Sequence, residues 1–222
     1  MADIVLYANP YDITAGGFYF RSAEEFEAKF QKRLPVEEYE IEFIDGSSED
    51  VALFEAVGVT QGPSIGRYFD DVVTLEDWEK PALFYVMDNH GIQDLDEALL
   101  LVRDDVRVQE GTMRDYVENY IDSMGGVGEL GKKATEMYFD YEAFGRALAM
   151  DLDADEPDDE YYLSLSDQER GEEYVESMGS VSELGKVAEW YFDVASFARD
   201  IELNRDATEF DFAGSTYVTD YR

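Results

Sequence analysis

Short apolar runs at residues 4–7 and 17–20 read as strands, joined through Asn9, Pro10, Asp12, Gly16 and Gly17, residue types that favour turns. A helix with readable ends follows. Ser22 and Glu25 have the spacing of a capping box, Phe26, Phe30 and Leu34 share one face, and Pro35 ends it. Tyr39, Ile41 and Phe43 then alternate with Glu40, Glu42 and Ile44, the period of a strand buried mainly on one side. Residues 1–46 are expected to form a small α+β domain.

From residue 47 to 110 the pattern is helical. Ser47 and Asp50 can cap a helix ending near Gly58, a second apolar stretch runs from Trp78 towards Gly91, and Leu95, Leu99 and Leu100 continue the spacing. The segment GVTQGPSIG, residues 58–66, reads as a turn-rich connection.

The second half repeats itself. SMGGVGELGKKATEMYFDYEAFGRAL, starting at Ser123, returns as SMGSVSELGKVAEWYFDVASFARDI at Ser177, one residue shorter before the Tyr-Phe-Asp. Two copies imply two similar small units. In each, Asp140 or Asp193 is placed to N-cap a helix whose inner face carries Phe144 and Leu148, or Phe197 and Ile201. The chain ends in TEFDF and STYV around Ala213-Gly214, the pattern of a β-hairpin. The expected organisation is an elongated α+β chain of small modules: an N-terminal α/β unit at 1–46, a helix-rich middle at 47–110, and two α+β copies at 111–160 and 161–222, the last carrying the hairpin.

Charge changes this picture more than any motif does. The 222 residues include 53 Asp plus Glu against 17 Lys plus Arg, a formal net charge of −36. Direct nucleic-acid binding is disfavoured, because such affinity rests on Lys and Arg neutralising phosphates. Yet 14% aromatic and 45% hydrophobic content is more than a solvated acidic coil carries, so the chain can bury a core. Residues 1–110 hold 25 acids and 8 bases, and residues 111–222 hold 28 and 9. The charge therefore belongs to the folded body and not to a tail. The absence of cysteine removes thiol chemistry and fits a reducing cytoplasm. Neither a secretory leader nor a long uncharged apolar run is expected to direct the chain into or across a membrane.

A protein of this size exposes on the order of 10,000 Å², so its net charge averages about one per 290 Å². B-DNA, treated as a cylinder of roughly 10 Å radius, carries about one per 110 Å². Resembling DNA electrostatically therefore requires arrangement: the acids must be concentrated on one face.

Candidate chemistry is thin. Asp151, Asp153 and Asp155 match the first, third and fifth ligands of an EF-hand loop, but Glu156 stands where the loop needs glycine and Tyr162 where it needs a bidentate Glu. The acid-rich run at 151–160, with Asp158 and Asp159, reads instead as an exposed, self-repelling linker. His90 is the only histidine and precedes Gly91, the place of a helix C-terminal residue. One His and no Cys cannot assemble a zinc site, and no phosphate-binding glycine pattern accompanies any lysine. No catalytic, metal or cofactor site is expected. Tyr138, Phe139, Phe144, Tyr191, Phe192 and Phe197 recur at matching places in the repeat and read as core.

Several segments resemble the ArdA-type antirestriction proteins. LYANPYDITAGGFYF (residues 6–20) is similar to that family's opening strand, turn and Gly-aromatic strand. MDNHG, the helix around Met113, and most specifically MYFDYEAFGRAL (residues 137–148) resemble its middle and C-terminal segments, and WYFDVASFARDIEL (residues 190–203) its ending. The resemblance implies a modular, curved α+β protein, usually dimeric and encoded on mobile elements. Such a protein imitates bent B-DNA, occupies the DNA site of type I restriction–modification enzymes, and blocks restriction and often modification. It implies no chemistry. The carboxylates carried over from matching segments are Asp115, Glu118, Asp122, Glu129, Asp140 and Glu142, with Glu183, Asp193, Asp200 and Glu202 in the second copy; the linker acids Asp151, Asp153, Asp155, Glu156, Asp158 and Asp159 join them on the expected partner-binding surface. The family has one such C-terminal module and this chain has two, so the extra copy either lengthens the mimic or replaces a subunit contact within one chain. The rival readings are a salt-adapted cytosolic domain or an interaction module without mimicry, which 11 Arg against 6 Lys would also suit, and an enzyme built on converging, pKa-shifted carboxylates.

Overall fold

The computed structural model describes residues 4–12, 14–33, 38–152 and 157–221, the side chains of Pro157 and Asp158 excepted. The chain divides into two compact units, Met1–Glu110 with Thr208–Arg222, and Gly111–Ala207. The fold is α+β and dominated by helix, with two small antiparallel sheets.

In the first unit β1 (Val5–Pro10) lies between β2 (Phe18–Phe20) and β3 (Tyr39–Asp45), antiparallel to both. Alternation puts Leu6, Ala8, Phe18, Phe20, Tyr39 and Ile41 into the core. A Cβ on Gly17 would collide with the Tyr7 ring, so that strand needs glycine where it enters the sheet. Helix α1 (Ala23–Phe30) is capped by Ser22, whose Oγ accepts from the Glu25 amide at 3.1 Å. The Glu25 carboxylate reaches back one residue further than a capping box, to the Arg21 amide at 2.7 Å. Phe26 packs on Phe18 and Phe20. The expected face residue Leu34 and stop at Pro35 lie outside the described residues.

Helix α2 (Ser48–Val57) starts in a full capping box between Ser47 and Asp50 and ends on Gly58 in the left-handed conformation. The turn-rich connection proves shorter than its composition implied. Pro63 sits at the first position of α3 (Pro63–Arg67), where its missing N–H costs nothing, and the helix runs on as a wider turn over Tyr68–Val72. Helix α4 (Glu79–Phe84) likewise continues as a wide turn, Tyr85–Asn89. Both wide turns begin on a buried tyrosine whose carbonyl accepts from the residue five positions on, Val73 at 2.9 Å and His90 at 3.2 Å. Helix α5 (Leu95–Asp104) buries Ala98, Leu99 and Val102, while Leu100 points outward.

The C-terminal hairpin, β5 (Thr208–Phe212) and β6 (Ser215–Thr219), turns on Ala213 and Gly214, both at positive φ as a two-residue primed turn requires. It does not stay with the second repeat copy. β6 pairs with β4 (Val108–Glu110), and Phe210 and Phe212 enter the same core as the N-terminal sheet and helices α2 to α5. The segments 1–46 and 47–110 thus share one core with the hairpin, and one compact body stands where two modules were expected.

The second unit holds the repeat. Copy one runs through α6 (Met113–Met124), a tight turn at Val127–Leu130, α7 (Lys132–Met137) and α8 (Tyr141–Asp151). After α9 (Pro157–Ser164), copy two retraces it with α10 (Asp167–Met178), a turn at Val181–Leu184, α11 (Lys186–Trp190) and α12 (Val194–Leu203). The copies interlock instead of forming two similar small units: α8 packs on α10, and α12 on α6. Between them the equivalent residues Phe139 and Phe192 form an antiparallel bridge. It is flanked by Asp140 N–H to Tyr191 O and Asp193 N–H to Tyr138 O, both 2.7 Å. Equivalent positions that contact each other reciprocally are the mark of a two-fold relation, here inside one chain.

The two halves differ at one crossing. Gly145 and Gly171 let α8 and α10 meet backbone to backbone: a Cβ on the first would run into the Asp167 carbonyl, and one on the second into that of Tyr141. The equivalent positions of the other crossing hold Ala198 and Val117, both buried. Arg170, 5% exposed, locks the close crossing by donating to the carbonyls of Tyr162, Leu165 and Gly145 and to Asp167.

Candidate acidic binding surface

The acidic surface of the second unit follows from how its helices begin. Thr112 caps α6 and Ser166 caps α10, each in a capping box closed by the acid three residues on, Asp115 or Glu169. Hydrogen bonds from Thr112 hold the Asp115 carboxyl below the usual carboxylate range, and those from Ser166 do the same for Glu169. Both stay ionised and exposed.

From those caps the 3.6-residue period sets a face. On α6, Asp115, Glu118 and Asp122 are all exposed; on α10 the equivalent residues Glu169, Glu172 and Glu176, with Glu173 beside them, are exposed too. The four α10 glutamates lie within eight residues, whose seven rises cover about 10.5 Å of axis, a mean spacing of about 3.5 Å between successive charges. One strand of B-DNA carries about one per 3.4 Å. The stripes differ in counter-charge. On α6, Arg114 pairs with Glu118 at 2.8 Å; at the equivalent place on α10 stands the neutral Gln168, which donates to Glu172.

The remaining expected residues sort by what holds them. Asp140 and Asp193 cap α8 and α12, accepting from the amides of Ala143 at 2.8 Å and Ser196 at 3.0 Å, and the Ser196 hydroxyl and amide hold Asp193 below its ordinary value. Glu142 pairs with Arg146 at 2.8 Å. Asp200 accepts from the Tyr138 hydroxyl at 2.7 Å, a bond that pushes the phenol up to about 12. Glu129 and Glu183 occupy equivalent exposed places on the two tight turns, and Glu202 is exposed on α12. Asp151 is exposed at the end of α8 and Asp159 is half-buried on α9. Asp153, Asp155, Glu156 and the Asp158 side chain lie outside the described residues.

The chain matches no protein-family model, no curated protein and no solved structure.

Sequence reasoning missed the α10 glutamates because the carried-over carboxylates came only from segments resembling the family. The signal was present: E-x-x-E-E-x-x-E over residues 169–176 is a single helical face. Each unit is strongly acidic on its own. Gly111–Ala207 carries 25 acids and 8 bases, net −17, and the other unit 28 and 9, net −19.

Among the described residues no group of three or more His, Asp or Glu is placed to hold a metal ion. The His90 ring packs between Tyr85 and Tyr221, its Nε2 3.3 Å from the Tyr85 hydroxyl. No helix among them is long and apolar enough to cross a membrane. Chemically, ionised carboxylates with hydrogen-bonded caps present fixed negative charge at the surface.

Proposed function

We propose that this chain is an antirestriction protein of the ArdA kind. It acts in the cytoplasm as a DNA mimic that occupies the DNA site of a type I restriction–modification enzyme and blocks restriction and modification, without chemistry of its own. The observation that carries this reading is the α10 stripe, Glu169, Glu172, Glu173 and Glu176, all exposed on one helix. It concentrates charge along its axis to the density of one DNA strand, where the average surface falls well short. The α6 stripe, Asp115, Glu118 and Asp122, repeats the device in the other copy.

A cleft that binds DNA presents Lys and Arg at phosphate positions. Carboxylates placed there gain the same long-range attraction and lose it in salt. The test is direct binding of the chain to a purified type I methyltransferase core over a series of salt concentrations. Affinity should fall steeply as salt rises, and Glu172→Gln with Glu173→Gln and Glu176→Gln should flatten that dependence. Salt-independent binding, or none at low salt, would refute the reading for this target.

A further inference from the structure

Each copy of the repeat exposes large apolar side chains at the same places. Met137 and Trp190, the last residues of α7 and α11, are 65% and 76% exposed; Met150 and Leu203, near the ends of α8 and α12, are 80% and 69% exposed. Met124 and Met178 end α6 and α10 and are nearly half exposed. Single exposed apolar residues are ordinary on any surface. Here, among the described residues, six of the eight large exposed apolar residues of the unit fall into three equivalent pairs. The neighbouring positions have diverged meanwhile, as with Lys133 against Val187, Tyr141 against Val194 and Glu142 against Ala195. Chemistry retained in both copies, at a cost in solubility, marks a surface that meets something.

Charge decides what that is. A second copy of the chain would bring one unit of net −17 against another, and nucleic acid is repelled in the same way. A protein surface of positive charge is attracted. We infer that Met137 and Trp190 are hydrophobic anchors by which the acidic surface docks into apolar pockets of a basic protein surface. Met137 lines an open depression of about 440 Å³ with Leu130, Ala134, Tyr138 and Phe197, its lining completed by Gly131, Lys133 and Lys132, the last paired with Glu136 at 3.5 Å. Carboxylates set the encounter rate and its salt dependence, while a desolvated Trp or Met sets how slowly the complex separates. DNA has no such anchors, so they would let a mimic outlast the duplex it displaces; that consequence rests on the proposed function.

The experiment uses the full chain with Trp190→Ala and Met137→Ala, singly and together; both side chains are exposed, and circular dichroism checks the fold. The first probes are a labelled polylysine and a labelled amphipathic Leu/Lys peptide of equal charge. The wild type should bind the amphipathic peptide about tenfold more tightly or better, and the double variant should lose that preference while holding polylysine unchanged. Equal affinity for the two peptides, or a preference that survives in the double variant, would overturn the inference. The second probe is a type I methyltransferase, from which the double variant should dissociate about tenfold faster at an unchanged association rate. Binding to the enzyme with no faster dissociation removes the anchors and leaves the mimic standing. Peptide discrimination without enzyme binding keeps the anchors and removes that partner.

Discussion

Asp193 shows how one residue serves both fold and surface. It caps α12 through the Ser196 amide and hydroxyl and remains exposed. Its folded pKa is depressed, so the stability it contributes is present above the unfolded value of about 3.9 and disappears as pH falls through the lower folded value. Asp193→Ala should therefore cost about 1 kcal/mol near neutral pH, with the gap to wild type closing below about pH 4. Paired urea titrations across that range check it. Gly145 makes the opposite case: Gly145→Ala removes a helix-weakening glycine yet drives a methyl into the Asp167 carbonyl. We expect net destabilisation of about 1–3 kcal/mol, whereas Ala198→Gly, at the equivalent but looser position, should cost no more than about 1 kcal/mol. The capping roles were legible from Asp140, Asp193 and Ser47 because capping is local. The burial of Arg170 and the glycine crossing were not, because both depend on a helix more than twenty residues away.

At the scale of the element, periodicity and caps located α1, α2, α4, α5, α8, α12 and both hairpin strands, since each depends on a few consecutive residues. It failed where tertiary partners decide. TEFDF and STYV fixed a hairpin, but only the pairing of β6 with β4 shows which body owns it. Leu100 has helical spacing and still faces solvent. The α10 stripe was readable, and its significance comes from its twin on α6. Like charges at i,i+3 and i,i+4 repel by about 0.2–0.5 kcal/mol per pair. The triple variant Glu172→Gln, Glu173→Gln, Glu176→Gln should thus leave the fold as stable or slightly more so, while weakening enzyme binding at low salt. A thermal melt beside the binding curve separates the two effects.

For the whole molecule, the repeat suggested two modules and the fold joins them about an internal two-fold. Tandem similarity reports that two units share a plan; it cannot report that the last helix of each packs on the first of the other. Because α8–α10 and α6–α12 contacts are satisfied within one chain, we expect a monomer of 25.3 kDa by light scattering at moderate salt, in place of the dimer that the ArdA resemblance implies. With net charge −36, added salt should raise the unfolding midpoint modestly by screening self-repulsion. A protein adapted to high salt would instead lose its fold in dilute buffer. The central claim meets its most direct test in competition: the chain is titrated into a type I methyltransferase holding labelled duplex, at low and at physiological salt. Mimicry predicts stoichiometric release of the DNA at low salt that weakens as salt rises. An enzyme that keeps its duplex at low salt against excess of this chain would contradict it.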